Sequence, residues 1–465
     1  MVRLAASALV AGAMVGGSVF GQAEEGDAAW TSRDEIRAVV AEMLADAESR
    51  SSLLDSSQTA GHDGSFFLQD ANNNFRLNVR GFTQFRYIAN FRDSRDLPGA
   101  TDADEAQYNF SVARTELTLD GYVVSPSLFY KMHVSFSDTS NTRSSEGSVK
   151  VEEVFAGYKF NENWFVKWGQ FKPAFLREYN TSDTKQLSVE RSVMSAFFQQ
   201  SFTQGIELGY EGEDLRFQVS YNDGFNSSNT DFNDRRTYIL GDETTPVIPT
   251  LPYPQEDQGQ SDYAVTARAE LKLNGTWKQF SDLTAFPKDR FGVMLGAGFH
   301  YEGGSNDDPT IANGLTDDYE YLSWTADISL EGPGWNVFAA IVAGYTDVRG
   351  LGGTTTDVRY DDYGVIVQGG WFVPGTDWEL FGRWDAIFGD DSRSGSSDFH
   401  TLTFGTNWYW SGHAAKMTAD LVWFMEDGAA IGGSIPRLTG GGNFGYLGDT
   451  SDGEIAVRFQ FQLMF

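Results

Sequence analysis

Arg76, Arg80 and Arg86 fall on one face of the extended segment FRLNVRGFTQFRYIANF, which carries no acidic residue. A guanidinium keeps its charge at any working pH and offers a planar fork of donors that fits phosphate or carboxylate. The chemistry this points to is the attraction and guidance of small anions rather than bond-making. The same two-residue phase, carried along the chain, puts Arg114, Lys131, Lys167, Arg216, Arg268, Lys272, Arg383, Lys416 and Arg458 on the equivalent face. Acids are interleaved there: Glu116, Asp120, Glu153, Glu207, Glu270, Asp327, Glu379, Asp385 and Asp420. Arg114 and Glu116, Arg268 and Glu270, and Arg383 and Asp385 stand two apart on one face, so a wall of self-neutralising pairs is the alternative to a basic track. That alternative is weakest for the three arginines of the first segment.

Other chemistry finds little support. The histidines are His62, His133, His300, His400 and His413, and none has metal-ligand spacing to acidic neighbours or lies in a nucleophile motif. There is no cysteine, so thiolate sites and disulfides are excluded. No enzyme activity, catalytic residue, metal site or cofactor is expected. The net charge of −31 argues against nucleic acid as a partner.

The elements that must position these charges read as strands. From Phe75 onward apolar and polar residues alternate, and further strands are expected near 108–122, 127–137, 148–160, 164–171, 203–211, 214–222, 262–273, 290–301, 320–331, 334–345, 360–372, 378–387, 400–410, 414–424 and 454–465. That makes sixteen with the first, most near the nine to eleven residues that a tilted strand needs to cross a bilayer. The connections alternate short (VVSPS, NEN, EGED, EGPG, VPGT, SGHA) and long, with NGTWKQFSDLTAFPKD long where a short one is due. A soluble sandwich has no reason to sort its loops this way, whereas a transmembrane barrel keeps short turns at one end and long loops at the other. Trp164, Trp168, Trp335, Trp371, Trp378, Trp408, Trp410 and Trp423 mostly fall near strand ends, where interfacial girdles belong. The expected fold is all-β: a transmembrane antiparallel β-barrel of about sixteen strands spanning 74–465, preceded by a short helix.

Residues 1–23 have the layout of a secretory signal peptide, with Arg3, an apolar run from Leu4 to Phe20, and small residues at Gly21 and Ala23. Residues 32–54 form an amphipathic helix or a short coiled coil, opened by a capping box at Ser32 and Glu35. Residues 55–73 read as a polar linker. The excess acid sits in the long loops, as solvated surface or as sites bridging cations or surface glycolipid.

The last strand, EIAVRFQFQLMF, ends on Phe465 after Val457, Phe459, Phe461 and Leu463. This pattern resembles the C-terminal signal read by the outer-membrane assembly machinery, with Phe461, Leu463 and Phe465 as its core. FRLNVRGFTQFRYIANF, ARTELTLDGYVVSPSLFYKMHVSF, FVKWGQFKPAFLREYN with the later VERS, ELFGRWD and TFGTNWYWSGHAAKMTADLVWF resemble the phosphate-selective porin O/P family. That resemblance covers roughly 74–465 and implies a sixteen-stranded, usually trimeric channel in the outer membrane, with the N-terminal helix in the periplasm. It also implies that loop 172–202 folds inward as a constriction, bringing Lys172, Arg177, Glu178, Lys185, Glu190 and Arg191 to an eyelet. The function expected is passive diffusion of small solutes with a preference for anions, phosphate among them. The alternatives are a general, weakly selective porin and a structural anchor that uses the coiled coil.

Overall fold

The computed structural model describes residue 42 and residues 59–92, 106–136, 149–225, 227–229, 261–305, 318–349, 357–391, 398–425, 444–447 and 453–465. The chain divides between Gln58 and Thr59, and every strand lies in the second unit, Thr59–Phe465. The expected signal peptide, and the expected helix apart from Glu42, lie outside the described residues.

A hairpin, β1 (Ala60–His62) and β2 (Phe66–Gln69), precedes the long strand β3 (Arg76–Phe91). Then come β4 (Ala106–Tyr122), β5 (Leu128–Ser135), β6 (Lys150–Lys159), β7 (Trp164–Phe171), β8 (Thr203–Glu211), β9 (Leu215–Asn222) and β10 (Tyr263–Asn274). The remainder are β11 (Gly292–Ser305), β12 (Asp318–Gly332), β13 (Trp335–Arg349), β14 (Val358–Phe372), β15 (Trp378–Phe388), β16 (Asp398–Ser411), β17 (Ala415–Phe424) and β18 (Glu454–Met464). Each strand from β3 pairs antiparallel with the next, and β18 returns to β3 with Ile455 opposite Phe91 and Met464 opposite Phe82. Strands β3–β18 therefore make a closed barrel of sixteen, in which no edge is left to solvent or lipid.

Closure is completed by the last residue. The amide of Phe465 donates to the Gly81 carbonyl at 2.9 Å, and the Gly81 amide donates to the Phe465 carbonyl at 2.8 Å. A Cβ on Gly81 would lie 2.5 Å from the Phe465 ring, so only glycine lets the terminal aromatic lie across β3.

The hairpin corrects the expectation of a linker over 55–73. Phe66–Gln69 pairs with Arg76–Val79, on the stretch of β3 beyond the end of β18. Ser65 and Phe67 are buried there, and Arg76 stacks over the Phe67 ring. The polar composition of the segment concealed an alternation only four residues long.

The two faces differ as a membrane strand requires. Phe85, Phe91, Phe110, Met132, Val154, Trp168, Ile206, Leu208, Leu271, Leu421, Trp423 and Phe459 point outward and are exposed, a surface that water would penalise and a bilayer would not. Trp335 sits opposite Trp371, Trp378 opposite Trp408, and Trp164 opposite Tyr210, all beside short turns at one end of the barrel. They form a girdle there.

Candidate functional site

The barrel is not an empty pipe. Residues 172–202 leave β7, cross the interior and return to β8 almost wholly buried. Inward side chains of the wall hold the loop by its backbone. Asp385 accepts from the amides of Val193 (2.9 Å) and Met194 (3.2 Å), Asp420 from Val189 (2.9 Å), and Asn407 donates to the Leu187 carbonyl (2.8 Å). Lys416 donates to the Gln186 carbonyl at 2.8 Å, Gln462 to Thr184 at 3.0 Å and Gln84 to Asp183 at 3.2 Å. Barrel side chains thus supply the partners that a buried loop backbone would otherwise lack.

Between these anchors lies an apolar cluster that sequence phase did not reveal. A six-residue helix, Val193–Phe198, packs Val193, Met194, Phe197 and Phe198 against Phe338, Val342, Ile366, Ile387, Phe399, Val422 and Phe424 of the wall. Each fully buried aromatic or aliphatic side chain contributes about 1.5–3 kcal/mol, so the helix is firmly seated. Gly364 makes the room: a Cβ there would lie 2.6 Å from both Met194 and Phe198. The sequence does carry a signal for this cluster, since the inward positions of β13–β17 mix polar residues with Phe, Val and Ile that a water-filled lumen does not need.

The long link that broke the alternation of loop lengths, 275–291, enters from the opposite end. It buries Phe280, Leu283 and Ala285 and meets the loop inside the barrel. Leu283 donates its amide to the Lys185 carbonyl at 3.3 Å, Arg177 donates to the Phe280 carbonyl at 2.9 Å, and Lys185 donates to Ser281 Oγ at 2.9 Å. Phe286 packs on Phe372, Tyr409 and His413, and Asp282 stands 3.3 Å from His413 Nε2. In this turn region burial pushes the His413 imidazole down, against the opposing pull of Asp282.

The basic residues then sort into two sets. Arg86, Arg268, Arg383, Lys416 and Arg458 face inward as expected, but loop and wall cover them, so they act as anchors rather than as pore lining. Arg458 pairs with Asp420 at 2.7 Å, Arg268 with Asp327 at 2.8 Å, and Arg383 stands 3.2 Å from Asp385. Arg177, Glu178, Glu190 and Arg191 of the loop are also buried and hold its fold, which corrects their expected place at an eyelet. Glu178 accepts from the Ser192 amide at 2.9 Å, and burial pushes its carboxyl up. Lys172 is half-buried over the rings of Tyr179 and Phe202, and Lys185 is tied to Ser281.

The second set faces water on the other half of the wall. Arg80 pairs with Asp120, Lys131 with Glu153, Lys167 with Glu207 at 2.8 Å, and Arg114 with Glu190 at 2.7 Å and Asp183 at 3.2 Å. Near the turns, Arg216 stands 3.7 Å from Glu211, Lys272 3.2 Å from Asp214, and Arg76 3.7 Å from Asp63. The acid-free first strand therefore does not give unpaired arginines. Its partners come from β4, the inward loop and the hairpin, at separations no local spacing could announce.

The same wall gathers ligand-type atoms that sequence spacing gave no reason to group. Glu116, His133 and Glu152, from β4, β5 and β6, bring one donor atom each within 4.8 Å of one another. The register between β5 and β6 shifts at His133/Val134, where His133 faces Glu153 and Val134 faces Val151. Glu152 is the extra residue of that bulge, which turns it to the same face as Glu153.

Residues 85–246 match the family described as "Phosphate-selective porin O and P". The match starts within β3 and contains the whole inward loop. The resemblance read from the sequence thus holds over this segment. No curated protein matches the chain. Among solved structures it is similar to OmpT of Vibrio cholerae (12% identity, 84% of this chain and 98% of that one, TM-score 0.48). It is also similar to the outer membrane channel DcaP of Acinetobacter baumannii (14%, 83% and 97%, 0.48) and to an anion-selective porin from Comamonas acidovorans (10%, 84% and 99%, 0.46). The family match runs from within β3 past the end of β9 of the closed sixteen-stranded barrel.

Proposed function

We propose that the chain is an outer-membrane porin that passes small hydrophilic solutes by passive diffusion through the part of the barrel left open by loop and link, with a preference for anions. The observation that carries the preference is the depth of each charge pair along the open wall. Side-chain exposure is 50% for Arg80 against 21% for Asp120, 30% for Lys131 against 12% for Glu153, and 11% for Lys167 against 1% for Glu207. The cation of each pair stands toward the water and the acid behind it, so a passing ion meets guanidinium and ammonium first. Where field lines are focused by a low-dielectric wall, that order sets the sign of the preference even at balanced charge. The reversed pairs, Arg76–Asp63, Arg216–Glu211 and Lys272–Asp214, lie near the turns at the mouth, where screening is strongest.

Residues 1–23 direct export, and 32–54 stand in the periplasm as a helix or coiled coil. Three copies associate, and the assembly machinery reads Phe461, Leu463 and Phe465. The outward, partly exposed setting of these three side chains supports the last point. Reconstitution of the purified protein into planar bilayers tests the channel reading: discrete conductance steps support it, and membranes that stay silent favour the anchor.

A further inference from the structure

We propose that Glu116, His133, Glu152 and Glu153 form a site for a divalent transition-metal ion of the zinc class on the channel wall beside the loop. His133 Nε2–H donates to Glu116 Oε2 at 2.8 Å, which makes Nδ1 the nitrogen that can bind an ion in the neutral ring. Nδ1 makes no hydrogen bond although buried, and it faces Glu152 Oε2 at 3.5 Å and Glu153 Oε2 at 3.6 Å. Ligands held about 2.0–2.2 Å from a tetrahedral zinc stand roughly 3.3–3.6 Å apart, so these are the separations of ligands around an ion rather than of a hydrogen-bonded pair. An imidazole whose second nitrogen donates to a carboxylate is the usual outer arrangement of a metal-bound histidine, and Glu116 fills that role.

The backbone and the charges favour the same conclusion. Without the bulge, Glu152 would point at lipid; with it, two successive carboxylates share one face. Lys131 pairs with Glu153, and among the other nearby cations Arg114 is engaged by Glu190 and Asp183. Lys172 of the loop also lies within electrostatic reach, so three carboxylates against two ammoniums leave the cluster net negative, which a bound cation offsets. Mixed imidazole and carboxylate donors select zinc-like ions over magnesium or calcium, which prefer oxygen alone. Glu152 lies within electrostatic reach of Asp183 and Lys172 of the loop, so an ion bound here adds positive charge where solutes pass. The site stands whether or not the channel prefers anions.

The test uses the full-length protein in detergent, stripped with EDTA and equilibrated with zinc chloride. Its metal content is measured against H133Q, E152Q and E116Q, with heat-modifiable gel migration confirming a folded barrel in each. Wild type is expected to retain about one zinc per chain, H133Q and E152Q to bind at least about tenfold more weakly, and E116Q to lose about 10–100-fold as an orienting partner does. In planar bilayers, micromolar zinc should change the wild-type current reversibly and leave H133Q untouched. No zinc retained by wild type, or equal binding by H133Q and E152Q, would overturn the proposal and leave only surface carboxylates.

Discussion

Arg86 on the barrel wall and Glu190 on the inward loop pair at 3.2 Å with both side chains almost wholly out of water. Glu190 also takes a two-pronged contact from Arg114, so one loop carboxylate joins two strand guanidiniums. Burial alone would raise this carboxyl, but Arg114 and Arg86 outweigh it and hold it at about 2. A carboxyl depressed on folding lends its stabilisation above its ordinary value of about 4.3 and loses it as pH falls through the folded value. Loop closure through Glu190 is therefore expected to persist between about pH 8 and pH 5 and to fail only in strong acid. E190Q at neutral pH should loosen the loop, raise current noise and increase anion preference. An E190Q channel identical to wild type in noise and reversal potential would rule this latch out.

Asp420 accepts from the Val189 amide while pairing with Arg458. Removing one partner of a buried pair costs about 3–5 kcal/mol, because the other charge is left unsatisfied. D420N should therefore lower the temperature at which the folded band converts on heat-modifiable gels. D420N with R458M should recover part of the loss, since an apolar residue of similar size leaves no buried charge.

Replacing 276–290 by a short turn should widen the channel, because this link supplies Phe280, Leu283 and Ala285 to the filled half and props the loop at Lys185 and Arg177. Single-channel conductance is expected to rise by a factor of about two or more, with solute exclusion shifting to larger sugars in liposome swelling. Unchanged conductance would mean that the link seals a part of the barrel that never conducts.

Gly81→Val places a branched side chain where the Phe465 ring lies. The terminal strand should then close poorly, and folding yield into lipid should drop, while Gly382→Ala, where a Cβ would meet nothing nearer than 3.5 Å, should not change it. Equal yields for the two would separate closure from the terminal aromatic.

The barrel was legible in the sequence because alternation sustained over sixteen segments survives errors at strand ends, and loop length added an independent signal of two unequal ends. The phase of those strands puts Arg80, Lys131 and Lys167 on the same face as the buried Arg268, Arg383 and Arg458. It could not tell which inward residues stay wet, because that depends on the loop and link that fill one half. Arg268, Arg383 and Arg458 have the same local pattern as Arg80 and yet are buried anchors. The grouping of Glu116, His133 and Glu152 went unnoticed because the three come from three strands, one of them through a bulge that period-two reading assigns to the wrong face.

The most direct measurement is the zero-current potential of the purified channel in a planar bilayer under a potassium chloride gradient, for wild type and for the R80Q/K131Q double variant. The pair depths predict an anion-preferring potential in wild type that falls toward zero or reverses in the variant, as Asp120 and Glu153 lose the cations that stand before them. A cation-preferring wild type, or a variant with the same potential, would contradict an anion preference set by the depth of these pairs.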